Sequence, residues 1–211
     1  MTWIMSGDGV AKDDGDTLIY DAASDEFRPA PPPSGGGGGL TLLEQHTASS
    51  SATLDFTTCI SATYDEYMIE FVGIIPATNS VSFVMRMGTG AGPTYDTGAN
   101  YGWAAFTIRA AATGFDGVEG GTTAMRIGYS TTIDNTSTGS LNGTIRLYDP
   151  QSTSLYKRWN GIVSMVASGG FRVVDLCEGS YESTTAVTAV RFYMSSGNIS
   201  SGTIRIYGVA K

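Results

Sequence analysis

A single histidine, two cysteines and twenty carboxylates are the reactive side chains this chain offers. His46 paired with Cys59 or Cys177 would make a thiol nucleophile with its base, provided the fold brings the two within hydrogen-bond reach. A serine nucleophile served by His46 would need a sharp turn of the form Gly-x-Ser-x-Gly, which the chain lacks. Zinc needs three or four Cys, His or carboxylate ligands at short spacing, and no such set occurs. Asp13-Asp14-Gly15-Asp16 is acidic enough to attract calcium. It does not follow the helix-flanked calcium loop, with alternate acids and a Glu at the twelfth position, and reads as a solvated turn. Asp65 with Glu66, and Asp175 with Glu178, are carboxylate pairs of the kind glycoside hydrolysis uses, but a β-rich chain with this many acids offers such pairs by chance. The five glycines from Gly35 to Gly39 lack the Lys-Ser/Thr of a phosphate loop. No catalytic residue, metal ligand or cofactor is therefore assigned.

Recognition chemistry is better represented. Tyr95, Asp96, Asn100, Tyr101 and Trp103 gather in and beside a glycine-rich stretch. Flat aromatic rings stack on sugars while Asp and Asn bond hydroxyls, so these five form a candidate ligand surface. Tyr101 and Trp103 equally fit the opening of a buried strand. Tyr156 and Trp159, with Lys157 and Arg158 between them, carry the same two readings. Near the start, Trp3, Ile4 and Met5 are apolar residues ahead of an acidic stretch, and exposed apolar groups mark contact sites.

Strands must position these residues. Charged residues make up only 15% of the chain, against about 25% in ordinary domains, and Gly, Ser, Thr and Ala fill the difference. Many short strands joined by small-residue turns give this composition, and no long helical periodicity appears. Strand candidates fall at 52–58, 66–74, 80–87, 103–110, 123–130, 143–148, 159–167, 171–177, 186–194 and 202–209. Their spacing predicts an all-β fold, an antiparallel β-sandwich of jelly-roll-like type, with a closed barrel as the alternative. Asn142-Gly-Thr-Ile-Arg-Leu-Tyr148 nearly recurs as Ser201-Gly-Thr-Ile-Arg-Ile-Tyr207. Each copy reads as a strand opened by Gly, with Thr, Arg and Tyr facing one way and the aliphatic residues the other.

The sandwich domain is expected over 40–211, behind an extended N-terminal arm. Residues 1–28 form the arm, with strands at 17–20 and 26–28 around a turn at 21–25. Two strands alone are marginal in water, so this hairpin calls for a partner surface or copies of itself. Residues 29–39, four prolines and then five glycines, form a spacer and a swivel. Seven acids against two bases precede residue 40, so the arm carries −5 of the net charge of −8. That balance argues against nucleic-acid binding, which needs a basic footprint. No apolar run is long enough for a transmembrane helix and no signal peptide is evident, so no membrane insertion is expected. Both cysteines sit in apolar, strand-like surroundings and read as buried thiols; whether they pair is not legible.

The stretch Tyr64–Asn79, the following Met85–Gly98 with Tyr101 and Trp103, and the closing Val190–Gly208 resemble a recurring segment of tailed-bacteriophage virion proteins. The arm motif Gly15-Asp-Thr-Leu-Ile-Tyr-Asp-Ala-Ala-Ser-Asp-Glu-Phe-Arg-Pro29 is similar to segments near the N-termini of phage fibre and accessory proteins, where an aromatic, often Trp, replaces Phe27. The resemblance implies a non-enzymatic structural protein at the virion surface, assembled in the host cytoplasm. It would be a short head or tail fibre or spike, usually a homotrimer. Trp3, Ile4, Leu18, Tyr20 and Phe27 would then dock on another capsid or tail protein, or bury among the arms of the same trimer. The outward head would display its loops, with host glycans as candidate ligands. A capsid decoration (cement) protein is the alternative, and a carbohydrate-active enzyme a third reading. Arg and Tyr are enriched at interfaces, so Arg146 or Arg205, on the recurring strands, is expected to contact a neighbouring subunit.

Overall fold

The computed structural model describes residues 17–21, 26–30, 39–109, 112–128, 132–136 and 139–210. The chain divides into two compact units, Met1–Gly37 and Gly38–Lys211, and the division falls inside the glycine run. In the first unit, β1 (Thr17–Asp21) and β2 (Glu26–Ala30) form an antiparallel hairpin. Tyr20 lies opposite Phe27 and Leu18 opposite Pro29. Trp3 and Ile4 lie outside the described residues.

The second unit is built from thirteen strands: β3 (Leu40–Ser51), β4 (Leu54–Phe56), β5 (Glu66–Pro76), β6 (Phe83–Thr89), β7 (Thr94–Tyr95), β8 (Tyr101–Arg109), β9 (Ala112–Thr122), β10 (Met125–Ile127), β11 (Leu141–Tyr148), β12 (Lys157–Val166), β13 (Arg172–Tyr181), β14 (Val187–Met194) and β15 (Ile199–Val209). One sheet has the order β3-β15-β5-β11-β12-β13-β8-β9. The smaller sheet runs β10-β6-β14-β4, with β7 added on β6. Every strand pairing is antiparallel. The all-β antiparallel sandwich expected from the sequence is therefore what forms. Its jelly-roll detail is not confirmed by an eight-and-five division that contains the meander β11-β12-β13.

Alternation decides which face is buried. Along β5, Tyr67, Ile69 and Phe71 are buried while Glu66, Met68 and Glu70 are less so. Beyond Gly73, Ile74 and Pro76 continue the buried face. The inner faces meet in an aromatic cluster: Phe71 of the large sheet lies 5.3 Å from Phe83 and 5.5 Å from Phe192 of the small one, edge to face. Phe56 packs on Phe192 at 5.8 Å. All four are at most 1% exposed, and each such burial stabilises by ~1.5–3 kcal/mol before entropy is counted.

The two recurring segments flank one strand. β11 and β15 both pair with β5, on its opposite sides. In each copy the glycine sits at an irregularity of the ladder, where the register on β5 shifts. Gly143 has φ +148° and Gly202 φ +119°. A Cβ at Gly143 would lie 2.3 Å from the Ile162 carbonyl oxygen, and one at Gly202 2.6 Å from that of Gly73. Each bulge thus requires glycine both for its backbone angle and for the close approach of the neighbouring strand. After it, Ile145, Leu147, Ile204 and Ile206 are fully buried, and Thr, Arg and Tyr face outward, as the alternation predicts.

Candidate functional site

The stretch Tyr95–Trp103 comes together in space, with Tyr101 and Trp103 turned inward. The short β7 leads to Asp96, whose amide donates to the Met87 carbonyl at 3.0 Å. Its carboxylate accepts from the Gly98 amide at 2.6 Å, Asn100 Nδ2 at 2.8 Å and the Tyr181 hydroxyl at 2.9 Å. Burial would raise the Asp96 pKa, but hydrogen bonds from Asn100, Gly98 and Tyr181 outweigh it and hold the group below its ordinary value. The Tyr101 hydroxyl donates to the Asp96 carbonyl at 3.0 Å and accepts from the Met87 amide at 3.2 Å. The Tyr101 ring stacks on Tyr181 at 5.0 Å.

Tyr101 is 0% and Trp103 7% exposed, and the Arg126 guanidinium lies 4.6 Å from the Trp103 ring. Arg191 lies 3.9 Å from the Tyr95 ring while holding Asp55 through two bonds of 2.7 and 2.6 Å. Burial, with Asp55 nearby, pushes the Tyr95 hydroxyl up to about 12. Of the expected ligand surface, Tyr101 and Trp103 are withdrawn by burial, while Tyr95, Asp96 and Asn100 stay partly exposed. A buried ring cannot stack on a sugar, and the Asp and Asn groups already bond one another.

The catalytic candidates meet a different outcome. His46 on β3 is bonded through Nε2 to Glu44 Oε1 at 2.7 Å. Glu44 Oε2 accepts from the Thr58 amide and hydroxyl at 3.0 and 2.8 Å. Burial and the Glu44 charge, with its hydrogen bond, push the Cys59 thiol well above its ordinary range. Sequence reasoning allowed a His46–Cys59 meeting, and the two do share a cluster. The carboxylate, however, is the shared partner, so the imidazole is not the thiol's base, and the thiol is stabilised protonated. The cluster instead ties β3 to the segment after β4.

Asp175 and Glu178 lie on opposite faces of β13: Asp175 is buried and accepts from Thr107 Oγ1, whereas Glu178 faces outward to Arg158 at 2.8 Å. Glu66 pairs with Arg146. Lys157 and Trp159 are interior. Lys157 Nζ donates to the carbonyls of Ser152, Leu155 and Ser183, and Trp159 Nε1 to Met125 Sδ at 2.8 Å. Tyr156 stays exposed. Among the described residues no group of three His, Cys, Asp or Glu is placed to hold a metal ion.

What remains is a surface, the outer face of the large sheet, and it has two halves. On β3, β15, β5 and β11 it is mainly polar, with Leu40, Leu42 and Val72 exposed among side chains that pair with one another. Thr47 bonds Thr203 at 3.0 Å; Arg205 bonds Gln45 at 2.7 Å and Glu70 at 2.9 Å; Arg146 pairs with Glu66. The two arginines expected at a subunit interface are thus already neutralised within the chain. On β12, β13 and β8 the same face turns apolar. Ile162, Leu176 and Phe106 stand side by side in register, with Val174 beside Ile108 in the next row. Ile162 is 54%, Leu176 45%, Ile108 46% and Val174 40% exposed.

One face of an antiparallel sheet is ordinarily solvated and polar, and a contiguous apolar patch marks a contact site. Sequence reasoning missed it. Its signal was present in the adjacent apolar pairs Ile162-Val163 and Val173-Val174, which break the in–out alternation. In comparisons with known proteins, no family model matches the chain, and neither the curated proteins nor the solved structures give a match.

Proposed function

We propose that this chain is a non-enzymatic structural protein of a tailed-phage virion, attached through its N-terminal arm and presenting the β-sandwich outward. The observation that carries this reading is the outer face of the large sheet, an exposed apolar contact surface on a rigid sandwich. The layout supports it: a compact head, a proline- and glycine-rich connection and a small hairpin with too few strands to be stable alone. The partners are other virion proteins through the arm, with Leu18, Tyr20 and Phe27 in the hairpin ladder.

A short fibre or spike is one form of this reading, and a capsid decoration protein the other. Deleting residues 1–33 is expected to leave a head with unchanged melting that no longer joins particles. Retained incorporation would refute the docking role. Imaging of purified particles separates the two forms: copies following the capsid lattice mean decoration, and a few projecting copies mean a fibre.

A further inference from the structure

We propose that the apolar half of the outer face, on β8, β12 and β13, is where a second copy of this chain packs, face to face and antiparallel. The inference stands on the head alone and does not depend on the virion reading.

The order of outward residues along β13 carries it. They run Arg172, Val174, Leu176, Glu178: a cation, two apolar residues and a carboxylate. A twofold axis crossing β13 at the level of Asp175 turns this order onto itself. Arg172 of one copy then lies over Glu178 of the other, and Val174 over Leu176. The register extends the apolar match to β8 and sets an apolar residue over a hydroxyl on β12. Asp175 is level with Thr107 on β8 and Val163 on β12, so Ile108 falls over Phe106 and Ile162 over Ser164. Self-complementarity of this kind is what a twofold interface requires. Stacked sheets also pack with their strands nearly aligned.

The charges are placed to be used. Among the described residues Arg172 has no carboxylate within ion-pair distance, and Glu178 is held only by the exposed Arg158. The polar half, with Arg146 and Arg205 already paired, forms the wet rim beside the contact. The family resemblance implies a homotrimer; a threefold arrangement that kept the strands parallel would bring Arg172 level with Arg172 and Glu178 level with Glu178. Like charges at one level disfavour it.

The test is light scattering on the full chain after size exclusion. The wild type is expected at twice the chain mass, and Leu176→Glu at the chain mass with its thermal melt retained. If Leu176→Glu loses cooperative melting, Ile162→Lys on the neighbouring strand replaces it. Arg172→Glu should weaken association by roughly a hundredfold, because the twofold makes the charge contact twice and each is worth about tenfold. Arg172→Glu combined with Glu178→Arg should recover most of that loss, because the swapped charges meet only across two copies. A wild-type monomer, a trimer, a dimer insensitive to Leu176→Glu, or a double variant no better than Arg172→Glu would each overturn the proposal.

Discussion

Replacing Asp96 by Ala removes the acceptor of three hydrogen bonds at once: those from the Gly98 amide, Asn100 Nδ2 and the Tyr181 hydroxyl. Bonds to a charged group contribute ~1.5–3 kcal/mol each, and ordinary ones about 1. Tyr181 is buried, so the bond its hydroxyl makes to the charged carboxylate belongs at the upper scale. Asn100 and Gly98 lie nearer water and count at the lower one. The sum is a loss of about 4 kcal/mol, a large share of the ~5–15 kcal/mol a domain possesses. Urea unfolding followed by tryptophan fluorescence reads it directly: the midpoint should fall while the slope stays constant. Because the Asp96 pKa is lowered in the fold, its contribution is fully present above the unfolded-state value near 4 and is lost as pH falls through the folded value. The gap between wild type and variant should therefore be wider at pH 7 and narrow as pH falls below about 4. A variant within ~0.5 kcal/mol of wild type at both pH values, the range of ordinary surface substitutions, would show that this carboxylate is not structural. The ligand reading of the loop would then return.

Two further expectations concern the interior. Gly143→Ala should destabilise by at least ~2 kcal/mol, the scale of severe local strain, since its Cβ would meet the Ile162 carbonyl oxygen at 2.3 Å; a melting temperature unchanged within error would refute the bulge argument. Cys59 and Cys177 are buried free thiols, with burial pushing Cys177 up to about 12. A disulfide-exchange reagent at pH 8 should label neither in the native protein and both in urea. Rapid native labelling would contradict their burial.

The interior strands of the head were legible because a strand buried on one face has to alternate. β5, β11, β14 and β15 each match a predicted candidate to within a few residues at the ends. The expected strand at 123–130 shrinks to β10, Met125–Ile127. Two long strands escaped, β3 and β9, and they are the two edges of the large sheet. An edge strand has a neighbour on only one side. The β3 sequence Leu-Thr-Leu-Leu-Glu-Gln-His-Thr-Ala-Ser-Ser-Ser keeps only Ala48 buried, so it shows no alternation to read. β9, with four glycines among eleven residues, offers no better pattern. The ligand candidates misled for a related reason. An Asp, an Asn and two tyrosines beside glycines look alike whether they bind a guest or one another, and only the hydroxyl of Tyr181, 85 positions from Asp96, decides between them.

The neighbour of β3 in the large sheet is β15, and the hydroxyls of Thr47 and Thr203 that touch across this seam are separated by 156 positions in the chain. During synthesis the first strand of the head therefore waits, unpaired, until almost the whole sandwich has left the ribosome. Its polar composition suits that delay, because an apolar strand left open so long would recruit the wrong partner. Closure over such a loop is slow. The ladder bonds of β3 therefore wait for residues 199–209, while Glu44 holds the strand only to its near neighbour Thr58.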